Sequence, residues 1–335
     1  MKDKKLTLYG CCYPVRGFSR SIICDLQYGK INYIPNDLFD LLKESAGKTK
    51  TEIFEYYNNE ENETIDEYLE YLIENGYIFY SDEPENFPPL HKKWSAASEI
   101  SNMIIDVDSN NIILNKKFVN DLDSFGSLSI QLRVNDFITY EKLDSLLSLF
   151  YSSRLKSIEL VLKYDAMLIP LFDKLTTKHL RVSYIIQYLA PENDKIEFDN
   201  FICFNMTETL TDATRNGPIS VSHLAINKHI FMESQFHHTY FNSKLYIDEL
   251  GNLSNAPGTD MLGNIKTDNL NNIIHYTDVR KYWNITKDTT KVCKDCEYRY
   301  FCVDARTPLL NSETNEYYHQ AKCNYNPYTT TWDHE

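Results

Sequence analysis

Cys293-Lys294-Asp295-Cys296-Glu297-Tyr298-Arg299-Tyr300-Phe301-Cys302, followed at a distance by Cys323, gathers four of the chain's eight cysteines near its C-terminus. Two thiols separated by two residues can grip one metal centre while the amides between them turn around the sulfurs. Four thiolates suit tetrahedral Zn²⁺ or one iron–sulfur cubane, and spacing alone weighs the two evenly. The surrounding residues 236–335 hold few apolar runs, so a metal is the expected source of their stability. The other cysteines are scattered. Cys24 and Cys203 lie in apolar strands as small core residues. Cys11 and Cys12, adjacent on a strand, are expected to point to opposite faces and not to pair.

Working outward, composition bounds the function. The 335 residues are 42% hydrophobic and 24% charged, which fits a globular chain. Only 10 are Gly, and neither glycine-rich phosphate loop motif occurs. The net charge of −14 disfavours nucleic acid and anionic membrane as partners and permits a basic one. The start, Met1 to Leu8, lacks the apolar core of a signal peptide, and no apolar run is long enough to span a bilayer. A cytoplasmic location is expected, where clustered thiols mean metal or catalysis rather than disulfides.

The expected fold class is α/β in three parts: 1–90, 95–235 and 236–335. In the first, Ser19 to Leu26 and Lys30 to Ile34 alternate as a hairpin across Tyr28-Gly29. Three helices follow. Asn36 is the expected cap of one, Thr51 or Thr49 of the next, and Thr64-Ile65-Asp66-Glu67 reads as a capping box opening the third. Gly76 stops that helix, and Tyr77 to Tyr80 is a strand. This is the outline of a small winged-helix-like domain, with Glu83 to Pro89 as linker. Residues 100–225 alternate strand (103–107, 128–133, 157–162, 181–188, 201–204) with helix (140–151, 168–175), implying right-handed βαβ units in a parallel sheet or partial barrel. Lys244 to Leu253 reads as a further hairpin.

The cysteine pattern resembles the C-terminal SPASM domain of radical-SAM peptide maturases, in which these four positions hold one auxiliary [4Fe–4S] cluster. A full SPASM domain holds two. Its further cysteines fall here on Arg306 and near Asn255, so the resemblance implies one cluster kept and one lost. Leu262-Gly263-Asn264-Ile265 matches a stretch usual in that family. Together with Arg20 to Gln27, Trp283 with Lys287-Asp288, and Cys323 to Tyr328, it resembles the maturases of "grasp-with-SPASM" systems. The resemblance implies a ribosomally made precursor peptide and an ATP-grasp ligase as partners. It departs in one respect. Three cysteines spaced C-x3-C-x2-C, which leave one iron open for S-adenosylmethionine, are absent; Asp108-Ser109-Asn110-Asn111 follows the first α/β strand instead. The middle part therefore reads as a degenerate radical-SAM-like barrel with no S-adenosylmethionine expected, and catalytic residues are unassigned.

Residues 51–90 hold twelve acidic side chains and no Lys or Arg. The ordinary meaning is a solvated helical face; the functional one is a field for a basic peptide. The first is the default; the winged-helix outline favours the second, because it resembles the precursor-recognition domain of peptide-modifying enzymes, in which a leader peptide adds a strand to the three-stranded sheet and lies against the third helix. Ile65, Leu69 and Leu72 would floor a peptide groove rimmed by Glu63, Asp66, Glu67 and Glu70. His223, His229, His237 and His238 lack ligand-like spacing, Asp106 and Asp108 read as surface carboxylates, and Tyr298, Tyr300 and Phe301 as a shield over the metal.

Overall fold

Gly29, at φ +65°, turns the first hairpin, and the Asp25 carboxylate fixes that turn by accepting the Gln27 and Tyr28 amides at 2.8 and 3.1 Å. The hairpin belongs to a three-stranded antiparallel sheet of β2 (Cys12–Arg16), β3 (Ser21–Asp25) and β4 (Lys30–Ile34), preceded by β1 (Lys5–Leu8). The structure is a computed structural model that describes residues 4–96, 98–126, 128–210, 219, 221–275 and 277–333. Met1 to Asp3, part of the start read above, lie outside the described residues.

Three helices follow: α1 (Asn36–Ser45), α2 (Lys50–Tyr56) and α3 (Asn62–Glu74), then β5 (Ile78–Ser81). The capping box sits on α2, where Thr49 accepts the Glu52 amide and Glu52 accepts the Thr49 amide at 2.7 Å. Thr64 lies inside α3, which starts at Asn62, three residues before the Ile65 its capping box implies. Asn36 is the first helical residue of α1 and spends its side chain on Ser21 and the Phe18 carbonyl. β5 pairs with β1 rather than with the hairpin, correcting the expected sheet of three. Ile65, Leu69 and Leu72 are 5%, 2% and 0% exposed, turned into the core shared with Leu6, Ile23 and Leu38.

The centre is a nine-stranded sheet. Its strands are β6 (Asn102–Val107), β7 (Ser129–Val134), β8 (Ser157–Lys163), β9 (Val182–Tyr188), β10 (Asp194–Glu197), β11 (Ile202–Asn205), β12 (Lys244–Ile247), β13 (Asn252–Ser254) and β14 (Met261–Asn264), in the order β10-β11-β9-β8-β7-β6-β12-β13-β14. The run from β11 to β12 is parallel, and antiparallel strands close both edges. Helices α4 (Lys116–Asp123), α5 (Tyr140–Ser148) and α6 (Phe172–Lys178) cross between strands and bury the face carrying Ile105, Leu132 and Leu160. By alternation the other face carries Asp106, Gln131, Arg133, Glu159 and Tyr246. Strand order reverses between β6 and β12, the switch point of an open α/β sheet. The sheet continues through β14, past the boundary expected at 235.

Beyond β14 come short helical turns and two small hairpins, β15 (Leu309–Asn311) with β16 (Glu316–Tyr318) and β17 (Tyr325–Asn326) with β18 (Thr331–Trp332). Among the described residues no helix is long and apolar enough to cross a membrane.

Candidate metal centre

Cys293 opens a single helical turn in which the Cys296 amide donates to the Cys293 carbonyl at 3.1 Å. Val292, just before it, has φ +68° and ψ −48°, a conformation that β-branched residues rarely adopt. A second turn, with the Cys302 amide on the Tyr298 carbonyl at 3.1 Å, carries the third thiol back. Residues 223–225 lie antiparallel to it: the Val303 amide meets the His223 carbonyl at 2.9 Å and the Ala225 amide the Phe301 carbonyl at 2.8 Å. Cys323 precedes β17, and the Tyr325 amide points at its sulfur at 3.4 Å.

These folds bring Cys293, Cys296, Cys302 and Cys323 to the wall of one cavity of about 600 Å³. Two observations bear on what that cavity fits. A zinc tetrahedron with Zn–S bonds of about 2.3 Å holds its sulfurs about 3.8 Å apart. Among the described residues the groups of three ligating atoms within 4.8 Å of one another are Cys11–Cys12–Asp25 and Cys293–Asp304–His319, so the four thiols ring the cavity without being drawn into such a knot. The donor set is all thiolate, which suits a cubane as well as zinc.

Burial pushes all four thiols above their ordinary values, so each holds its proton until a metal displaces it. Two cations oppose that penalty. Lys287, itself buried, gives its ammonium to Asp304 at 2.8 Å, and Arg306 grips the same carboxylate at 2.7 and 3.0 Å. Despite its burial, Asp304 is held well below the carboxylate range by these two neighbours. In the grouping of Cys293, Asp304 and His319, the carboxylate is thus already committed to Lys287 and Arg306. Arg306, where the resemblance lacks a cysteine, also bonds the Ala321 carbonyl at 2.7 Å. Asn255, near the other such position, is buried and donates to the Phe241 and Lys244 carbonyls at 3.0 and 2.7 Å.

The β2–β3 turn reaches this loop from the N-terminal part. The Phe18 amide bonds the Asp295 carbonyl at 2.8 Å, and Ser19 donates to the Tyr328 carbonyl at 2.6 Å. Arg20 donates through Nε to Glu297 at 2.8 Å and through its terminal nitrogen to the Tyr298 and Tyr325 hydroxyls at 3.1 and 3.2 Å, its guanidinium lying 3.8 Å over Tyr33. Glu297, between Cys296 and Tyr298, is fully buried and also takes the Tyr325 hydroxyl. At Gly17 an added Cβ would meet the Arg20 carbonyl at 2.4 Å, so only glycine permits this approach. Tyr298, Tyr325 and Trp332 pack ring to ring beside the cavity.

Sequence reasoning named the four thiols. Of the shield expected from Tyr298, Tyr300 and Phe301, only Tyr298 lines the cavity; Tyr300 and Phe301 pack against Phe231 instead. Sequence reasoning missed the Lys287–Asp304–Arg306 set and the Arg20–Glu297 clamp, whose members are separated by up to 277 residues. Of the acidic residues proposed for peptide, Glu63, Glu67 and Glu70 are exposed, while Asp66 is half-buried and ion-paired with Lys50. Ile65, Leu69 and Leu72 offer no open floor, because the core consumes them. Asp106 is not a surface group: it is largely buried, and the Tyr246 hydroxyl donates to it at 2.5 Å. His238 is buried, His237 bonds Asn284 at 3.0 Å, and Trp94 packs edge-on against His229 and His237. Close to the same sheet face, Lys244 sits 3.3 Å over the Tyr240 ring, and Glu233 takes the Asn242 amide at 2.8 Å.

No protein-family profile matches the chain, and no curated protein matches it. Among solved structures it is similar to SuiB of Streptococcus suis, at 9% identity and TM-score 0.29, over 88% of this chain and 94% of that one. SuiB bound to S-adenosylmethionine gives 11% identity and 0.30 over 88% and 94%. SuiB bound to the precursor peptide SuiA gives 8% identity and 0.30 over 89% and 94%.

Proposed function

We propose that this chain is a maturation factor for a ribosomally made peptide, that it holds one [4Fe–4S] cluster on Cys293, Cys296, Cys302 and Cys323, and that it binds the precursor through residues 1–90 beside an ATP-grasp ligase. The observation that carries the reading is the joining of a four-thiol cavity to the N-terminal part through the Arg20–Glu297 clamp. A cluster bound there supplies a rigid cross-link of the loops and a one-electron centre. The chain's own residues do the rest. Lys287 and Arg306 offset the negative charge of ligated thiolates. The Tyr325 amide supports the Cys323 sulfur, and Tyr298 and Trp332 help wall the cavity. With Asp108 to Asn111 following β6, reductive cleavage of S-adenosylmethionine is no part of this reading.

With the apolar floor on α3 closed, peptide recognition rests on strand addition at an open edge. β1 is occupied on its outer side by residues 47–49, whereas β5 is the other edge of that two-stranded sheet and lies beside α3. An extended peptide added to β5 would satisfy its backbone groups. Glu63, Glu67 and Glu70 on α3 then favour basic peptide residues. Calorimetric titration of the full chain with the short peptides encoded beside its gene should give micromolar binding, about −8 kcal/mol. Replacing Glu67 and Glu70 by Lys should weaken it about tenfold at low salt and less at high salt. Absence of binding by any of these peptides contradicts the reading.

A further inference from the structure

Cys11 and Cys12 do not occupy two faces of one strand. β2 begins at Cys12; Cys11 lies in the turn before it, closed by the Cys12 amide on the Tyr9 carbonyl at 2.8 Å. The turn swings the Cys11 side chain round until the two sulfurs are 3.9 Å apart. The strand ladder supplies a third donor. Cys12 stands directly opposite Asp25, and the Leu26 amide on the Cys11 carbonyl at 2.9 Å locks that register. Directly opposed residues of an antiparallel pair share a face. The two sulfurs and a carboxylate oxygen of Asp25 all lie within 4.8 Å of one another. Asp25 Oδ1 holds the turn amides, which leaves Oδ2 as a ligand atom.

From this geometry we propose that Cys11, Cys12 and Asp25 form a second metal site, separate from the C-terminal cysteines, that binds one thiophilic divalent cation of the zinc class.

Three features favour a cation over a plain thiol pair. The sulfur separation matches the edge of a zinc–thiolate tetrahedron, about 3.8 Å. Cys11 and Asp25, the two donors beside Cys12, are acidic groups that complement a cation once ionised. The place is also structurally apt. Cys12 and Asp25 face each other across the ladder, so a metal here ties the start of β2 to the end of β3, and the Cys12 thiol lies 3.9 Å from the Gly76 carbonyl in the turn after α3. Binding releases the thiol protons. Three protein ligands leave a fourth position for water.

Cobalt(II) replaces zinc in such sites and reports thiolate ligation through charge-transfer absorption. Full-length protein, with its C-terminal site loaded and excess metal removed, should take up one further Co²⁺ with this absorption, displaced by one equivalent of Zn²⁺. Cys11→Ser should roughly halve the band, since one of two thiolates is gone. Asp25→Asn, which keeps the turn hydrogen bonds, should weaken Co²⁺ at least tenfold. Both positions are only half-buried, so both variants should fold; Cys203→Ser is the buried-thiol control and should change nothing. If the cobalt bands are missing, or persist unchanged in Cys11→Ser and Asp25→Asn, the site does not exist.

Discussion

Arg20 closes a gap between two parts of the chain that neither could close alone. Its partner Glu297 is wholly buried, and Arg20 itself is three-quarters covered. Removing one side of such a pair strands the other in a poorly solvated place. Arg20→Ala should therefore cost about 3 kcal/mol in urea unfolding. Arg20→Lys should recover less than half, because an ammonium cannot serve Glu297 and two tyrosine hydroxyls while stacking on Tyr33. The double variant Arg20→Ala/Glu297→Gln should be more stable than Arg20→Ala alone, since it leaves no unpaired carboxylate. A cost near zero for Arg20→Ala would place the clamp among idle surface pairs. Such contacts are what a sequence conceals. The thiols were legible because ligation demands a spacing along the chain; Glu297 sits among them yet draws its meaning from Arg20, which only folding brings near. The same applies to Cys11 and Cys12, misread because the turn at Tyr9 that reorients Cys11 leaves no mark in strand alternation.

At the scale of elements, local chemistry was a good guide wherever a motif acts on its own neighbours. Gly29 and Gly76 behave as their positions suggest, and Thr139 caps α5 by accepting the Lys142 amide. The strands between 102 and 188 were legible from buried runs. The pairing of β5 with β1 was not, since β1 is four residues long and its partner lies about seventy residues on. Competing caps misled as well: Thr64 has the right partners in sequence, but α3 gains a turn by starting at Asn62. The turn before Cys293 carries a prediction of its own. Val292 at φ +68° stores strain of about 1–3 kcal/mol, which glycine would not feel. Val292→Gly should raise stability by about 1 kcal/mol once the looser unfolded chain is counted. Thermal unfolding of the metal-loaded protein reads this directly, and a loss of stability would mean that the valine side chain contributes more by packing than its backbone costs.

For the whole molecule, two buried ionisable groups beside the central sheet, Glu233 and Lys244, couple stability to pH. Burial raises Glu233 from 4.5 to about 7, so the folded chain keeps a proton that the unfolded chain loses, and stability falls as pH rises from about 4.5 to about 7. Burial lowers Lys244 from 10.5 to about 7, so the unfolded chain holds the extra proton, and stability rises as pH goes from about 7 to about 10.5. Together the two groups place a stability minimum near neutral pH. Glu233→Gln should remove the acid-side slope and Lys244→Met the alkaline one, in unfolding midpoints taken from pH 5 to 9.5. Identical slopes in wild type and both variants would show that neither group is buried as described.

The central claim, that four C-terminal thiols hold a cluster, is tested by the iron, sulfide and zinc content of protein purified without oxygen, as wild type and as Cys296→Ala. The account predicts about four irons and four sulfides per wild-type chain, the content of one cubane, with both lost in Cys296→Ala. Wild-type protein without sulfide, carrying a zinc that disappears in Cys296→Ala, would contradict it.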